Sequence, residues 1–224
     1  MKLHFRDHAS VDLRYLAWRA TTNTAVSVVN STASVVRCVF ANITSAGGSG
    51  ISADQSDVLV TDCTFRDCST PYRAGAILGS TFSIERCEFT GNSAGESGGA
   101  IHGVGRISHC LFVGNRAHSG AAVALSTDGI TGGSTVDHCT FVDNEASGEG
   151  AVEFLESRNA LRYSIITGTK GAWESSAGTF GTLRAATCGG TSTGTSFHCA
   201  WTWSTRGASA RIHSSVIRRR GTGD

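Results

Sequence analysis

Eight cysteines and eight histidines in a chain of 224 residues are the first groups whose chemistry has to be placed. Five cysteines, Cys38, Cys63, Cys87, Cys110 and Cys139, recur at one position of a repeated segment that reads VVRCVFANI, LVTDCTFRDC, IERCEFTGN, ISHCLFVGN and VDHCTFVDN. If such segments stack as strands, successive Cβ atoms lie about 4.8 Å apart. That is wider than the roughly 3.5–4.5 Å a disulfide prefers. The expectation is therefore a ladder of free thiols filling core volume. Cys188 and Cys199 stand outside the ladder and could pair in an exported chain; the even total alone decides nothing. His109 and His138 each precede a ladder cysteine, which raises the question of zinc. Neighbours along a strand point to opposite faces, so each His and its Cys do not converge on one ion. Neither a metal site nor a cofactor is expected.

Catalysis on a sugar chain needs a clustered pair of carboxyl groups, or carboxylates gathered around calcium. Asp62, Asp67, Glu85, Glu88, Asp137 and Asp143 scatter instead over different outward positions, with only Asp62 and Glu85 brought near each other. The His102-Gly103 dipeptide is too short to define a site. No catalytic residue is assigned, and a non-catalytic protein is the expectation. Asn30-Ser31-Thr32 and Asn42-Ile43-Thr44 match the N-glycosylation pattern, which has meaning only in a eukaryotic secretory route.

The elements that must carry these residues follow from the repeat. Two residues after each ladder cysteine comes Phe40, Phe65, Phe89, Phe112 or Phe141; three residues before it sits Val35, Val60, Ile84, Ile107 or Val136. A sixth unit, LRYSIITGT, keeps the pattern with Leu161, Ser164 and Ile166. About a dozen residues upstream runs a further column, Val26, Ile51, Ile77, Ile101, Val123 and Val152, with Trp173 as a seventh member. Its members are 21 to 29 residues apart, the variation falling in Gly/Ser/Asp-rich stretches that read as loops. The Cys-x-Phe spacing has period two and marks a strand. The three-residue step from Val or Ile to Cys breaks that parity and marks a corner between two short strands. No unit holds the ten or more residues of helical period that a helix-pair repeat requires. The fold class read from this is all-β, a right-handed parallel β-helix of about seven coils, its hand set by the right-handed rule for parallel crossovers. Arg37, Asp62, Arg86, His109 and His138 then face solvent, the first three alternating in sign as cross-strand partners. Asn92, Asn115 and Asn144, each three residues after a column Phe, form an inward amide ladder at a coil corner. Ile43 and Cys68 hold that position in the two preceding coils.

Composition agrees, with 28 Gly and a single Pro, as many tight turns between short strands require. A net charge of +1 supplies no field for nucleic acid. No apolar run approaches the roughly 18 residues of a bilayer span. His4, Arg6, Asp7 and His8 interrupt any signal-peptide core, leaving open an absent leader, a fragment or an intracellular protein. Three regions are expected: 1–20 as an N-terminal cap or incomplete coil, 21–175 as the β-helix, and 176–224 as a C-terminal cap or poorly ordered tail.

The pairing of GGAI (Gly98 to Ile101) with FxxN (Phe89 to Asn92, Phe112 to Asn115, Phe141 to Asn144) resembles the repeats of chlamydial polymorphic outer membrane proteins. It is also similar to bacterial surface β-helices of the pectate-lyase-like superfamily. The likeness covers roughly residues 20 to 175; three units carry FxxN, one carries GGAI, and no autotransporter barrel follows. It implies export, surface display, and adhesion or contact with a polysaccharide or a cell-surface protein, with no catalytic set to carry over. A fragment or remnant of a polysaccharide lyase or glycoside hydrolase, and a purely structural spacer, are the alternatives. The open strand edges of terminal coils also suggest end-to-end self-association.

Overall fold

The computed structural model describes residues 2–126, 133–148, 150–155 and 159–168. It also describes the backbone of three later strands, Trp173–Ser175, Thr182–Gly190 and Phe197–Ser204. All the regular elements among them are strands, and up to Gly190 every strand pairing is parallel.

One coil shows the plan. A first leg starts at Ile77, and a register shift after Gly79 turns it into a second leg that ends at Glu85. Arg86 turns the corner to a third leg, Glu88–Thr90, and Gly91 turns the next to a short fourth leg, Ser93–Ala94. Residues 95–100 return the chain to Ile101, directly beneath Ile77. The first three legs of all coils join one continuous sheet, and the fourth legs form a separate four-stranded sheet.

Register stacks like on like. Leu3, Val26, Ile51, Ile77, Ile101, Val123, Val152 and Trp173 are successive backbone partners in the first leg. Leu13, Val35, Val60, Ile84, Ile107, Val136 and Leu161 are partners in the second. In the third leg Phe40, Phe65, Phe89, Phe112 and Phe141 are fully buried, with adjacent ring centroids 4.6–4.9 Å apart and planes within 7° of parallel. Coil spacing sets that separation, so the rings lie offset rather than in tight face-to-face contact. Trp18 extends the column at one end, 4.7 Å from Phe40, and Ile166 continues it at the other.

The sequence places a cap or incomplete coil in residues 1–20. In the structure Leu3–Phe5, Ser10–Arg14 and Ala17–Thr21 stack in register on the following coil as a three-legged rung. At the other end, parallel pairing runs beyond residue 175. Thr182–Gly190 lies against Ala160–Thr167, and Phe197–Ser204 then folds back antiparallel on it. Leu183 stands opposite Leu161 in the second-leg column, while Ala185 and Thr187 take the positions of the Cys and Phe columns, and an open strand edge accepts any backbone able to complete its hydrogen bonds. Cys188 stands opposite Cys199 in that antiparallel register. Residues after 204 lie outside the described residues.

The glycines of GGAI answer a close approach. Gly98 holds φ +68°, and a Cβ on Gly99 would come 1.9 Å from the Ala121 carbonyl oxygen of the next coil. Small residues here let the returning loops stack at coil spacing.

Because each Phe supports two neighbours, truncating one leaves a cavity that stacking prevents from collapsing. Phe112→Ala is expected to lower stability by about 3–5 kcal/mol, measured by urea unfolding; an unchanged midpoint would place the column outside the core.

Candidate functional site

Three interior ladders hold the coil corners, and what they hold rigid is a pair of grooves on the outside. From Arg37 onward, each described second-to-third-leg corner is turned by one residue in the left-handed region followed by an inward side chain. At the second-to-third-leg corner the left-handed residues are Tyr15, Arg37, Asp62, Arg86, His109, His138 and Tyr163, with φ of 46–57°. Such values are uncommon for residues other than Gly, Asn and Asp, so the turn is enforced by what lies behind it. Behind it lies the cysteine column.

Cys38, Cys63, Cys87, Cys110 and Cys139 are free and no more than 3% exposed. The N–H groups of Cys38, Cys63 and Cys87 each donate to the Sγ of the next coil's cysteine, at 3.3–3.4 Å. Each of the five thiols also meets the carbonyl of the residue two positions earlier, at 3.1–3.4 Å. At the last described coil Ser164 Oγ takes the N–H of Cys139 at 3.1 Å. These thiols therefore do more than fill volume, the role the sequence suggests; they satisfy the backbone of the corner. Hydrogen bonding with Cys87, followed by burial, holds Cys63 as a thiol.

Asn92, Asn115 and Asn144 do the same at the third-to-fourth-leg corner, following Gly91, Gly114 and Asp143. Asn92 donates both its backbone N–H and its side-chain Nδ2 to Asn115 Oδ1, each at 3.0 Å. Asn115 repeats this with Asn144, at 3.0 and 2.8 Å. The Nδ2 atoms of the three also reach back to the carbonyls of Phe65, Phe89 and Phe112 at 3.0 Å. Cys68 N–H enters the ladder by donating to Asn92 Oδ1 at 3.0 Å; burial pushes its thiol up to about 12. A further ladder at the first-to-second-leg corner was not read from the sequence. The N–H of Ser31 donates to Ser56 Oγ at 3.1 Å, and that of Ser134 to Asn159 Oδ1 at 2.7 Å. Its only sequence signal is a polar residue after Asn30 or Gln55, indistinguishable by type from ordinary loop serine.

The outward column behaves differently from simple alternation of charge. Asp62 pairs with Arg86, whose Nε donates to it at 2.8 Å; that hydrogen bond holds the Asp62 carboxyl below its usual range. Arg86 also contacts Glu85. Arg37 turns the other way, donating from Nη1 to the Tyr15 hydroxyl at 2.9 Å with its guanidinium over the ring. Further along, the His109 and His138 rings stack at 5.1 Å, and His138 and Tyr163 at 5.0 Å. The histidines are outside and the thiols inside, separated by a left-handed corner rather than by strand alternation. Among the described residues, no group of three or more His, Cys, Asp or Glu side chains is arranged to hold a metal ion.

A groove of about 840 Å³ runs over the outer face of the second legs, crossing successive coils from Ser10 to Gly133. Its lining mixes the hydroxyls of Ser10, Thr32, Ser34, Thr81 and Ser83 with the apolar side chains of Val11, Val58, Leu59, Phe82 and Val104. Leu59 stands exposed in their midst. Charge is supplied by Asp57, by Arg106, and by Asp12 and Arg14, which pair with each other at 2.8 Å. A second groove of about 710 Å³ follows the Asp62, Arg86, His109 and His138 ridge, beside Thr64, Glu88, Leu111 and Thr140. The groove residues escape sequence reading because small hydroxyl residues on a strand's solvent face look the same whether or not they line a concavity.

A stacked interior of parallel strands carrying lengthwise grooves defines a parallel β-solenoid. Residues 19–183 match the family model of the right-handed β-helix region, and the chain belongs to that family. No curated protein and no solved structure matches it.

The hydrogen-bonding role of the thiols separates two substitutions. Cys87→Ser keeps an acceptor for the Cys63 N–H, as Ser164 does for Cys139. Cys87→Ala leaves that buried N–H unsatisfied and should be the less stable of the two by about 1–2 kcal/mol. Thermal unfolding compares them; equal or greater stability for the Ala variant would reduce the column to packing.

Proposed function

We propose that the chain is a non-catalytic β-helix module, displayed outside the cell, that binds an extended glycan along the groove over the second legs. The observation that carries this reading is the groove itself. It crosses the coils from Ser10 to Gly133, five steps of about 4.8 Å, or roughly 24 Å, room for several sugar rings in a line. Its volume lies within the range of ligand sites. Hydroxyl side chains on a rigid sheet exchange hydrogen bonds with sugar hydroxyls at little ordering cost, and exposed Leu59 offers an apolar surface to a ring face.

A binding role is supported over a catalytic one by the state of the carboxylates. Asp12 is paired with Arg14, and Asp62 and Glu85 with Arg86. The hydrogen bond from Arg86 holds the Asp62 carboxyl below its usual range, whereas a glycosidase acid must carry a proton at its working pH. Export and surface display rest on the GGAI and FxxN repeats and their likeness to surface-displayed solenoids.

Glycan-array screening followed by calorimetry on the best ligand tests the proposal. Ser83→Phe, on the exposed floor of the groove, is expected to weaken binding by about tenfold or more through steric filling while leaving the melting temperature unchanged. Unaltered affinity in that variant would remove the groove from the binding surface. Turnover of the bound polysaccharide by the intact chain would overturn the non-catalytic reading.

A further inference from the structure

Away from this groove, the returning loops cover the outer face of the first leg and form an open pocket of about 340 Å³ lined by Arg73, Glu96, Ser97, His102, His118 and Ser119, with Leu155 as an apolar wall. His102 follows Ile101 on the strand Ile101–Ser108, at a position that would face solvent on an uncovered sheet. The loops leave it only 9% exposed, and Ser97 only 8%. Ser97 Oγ and His102 Nδ1 are 3.0 Å apart. Burial first, and then the positive charge of Arg73, lower the His102 pKa to about 4, with Glu96 opposing. The ring is thus neutral near pH 7 and carries one hydrogen. The tautomer in which the Ser97 hydroxyl donates to Nδ1 places that hydrogen on Nε2, and the other tautomer has Nδ1 donate to Ser97. No second hydrogen bond to the ring occurs among the described residues, and the ring lines the pocket.

The rest of the lining is rich in donors. Arg73 Nε donates to Glu96 Oε2 at 3.1 Å, and its terminal nitrogens have no partner among the described residues. His118 meets Ser147 through Nδ1 at 3.1 Å, and Ser119 adds a hydroxyl. Glu96 is the one carboxylate in the lining, and it is engaged by Arg73. A guanidinium and a neutral imidazole in one lining suit a planar acceptor with two oxygens and a single charge. A doubly charged anion would meet Glu96 without a second cation to offset it.

We propose that this pocket binds a small organic carboxylate, its oxygens held by His102 Nε2–H and the terminal N–H groups of Arg73 and its hydrocarbon part against Leu155. The site is independent of the glycan groove, and neither reading requires the other.

Histidine side-chain NMR on the full chain, titrated with sodium butyrate, with butyramide as the uncharged isostere and with inorganic phosphate, tests it. Butyrate is expected to shift the His102 signals saturably and to raise the His102 titration midpoint, because a bound anion favours the protonated ring. Butyramide should leave both unchanged. Arg73→Gln should weaken butyrate binding by about tenfold. Glu96→Gln removes the competing carboxylate and should tighten binding, a gain that misfolding cannot imitate. Ser83→Phe in the groove should have no effect. Equal shifts with butyramide, tighter binding of phosphate than of butyrate, or a Glu96→Gln variant with unchanged or weaker affinity would each overturn the proposal.

Discussion

A chain that turns a sharp corner inside a stack of coils leaves a backbone N–H with no strand opposite it, and that N–H lies in the core. Water is excluded there, so an unsatisfied donor would cost about 1–3 kcal/mol at every corner of every coil. The solenoid meets this with a side-chain heteroatom from the coil beneath. A thiol serves at the second corner, an amide at the third, and a serine hydroxyl or an asparagine at the first. All three are compact acceptors reaching along the axis. The left-handed backbone of Arg37, Asp62, Arg86, His109 and His138 is tolerated because the residue after it is anchored on both sides.

Once the corners are held, the rest of the interior is apolar stacking. The Val/Ile columns and the Phe column carry no hydrogen-bonding duty, and their side chains lie above one another at the spacing that backbone pairing imposes. Each column depends on its neighbours, as in other solenoids whose stability resides in nearest-neighbour contacts. Rigidity inside leaves the outer surface free to vary. The same rung plan carries a groove of mixed hydroxyl and apolar lining over the second legs, an ionic and aromatic ridge along one corner, and a donor-rich pocket beside the returning loops.

The outer grooves run along the stacking axis, across successive coils. Residues that are remote in sequence, such as Ser10 and Ser83, come to line one groove because the coils between them are in register. The pocket around His102 arises otherwise. The returning loops, five or six residues long from the Ser69–Thr70 leg onward, lie over the outer face of the first legs. His102 is roofed, whereas His109, seven residues on, stands on the exposed ridge.

The amino-acid sequence by itself determined the winding. Period-two apolar positions, a parity break before each cysteine, and columns recurring about every two dozen residues admit a stack of parallel strands, because inward side chains must match their neighbours above and below. The aromatic and amide ladders were legible for the same reason. What only the tertiary structure decided is the work of the polar atoms. The cysteines became hydrogen-bonding links as well as filler, Ser31, Ser56 and Ser134 became a corner ladder, and Arg37 turned toward Tyr15 instead of Asp62. Outward residues obey no repeat, so a serine in a groove and a serine on a convex face read identically in one dimension. Their environments differ only through the curvature of the coil and the loops laid over it.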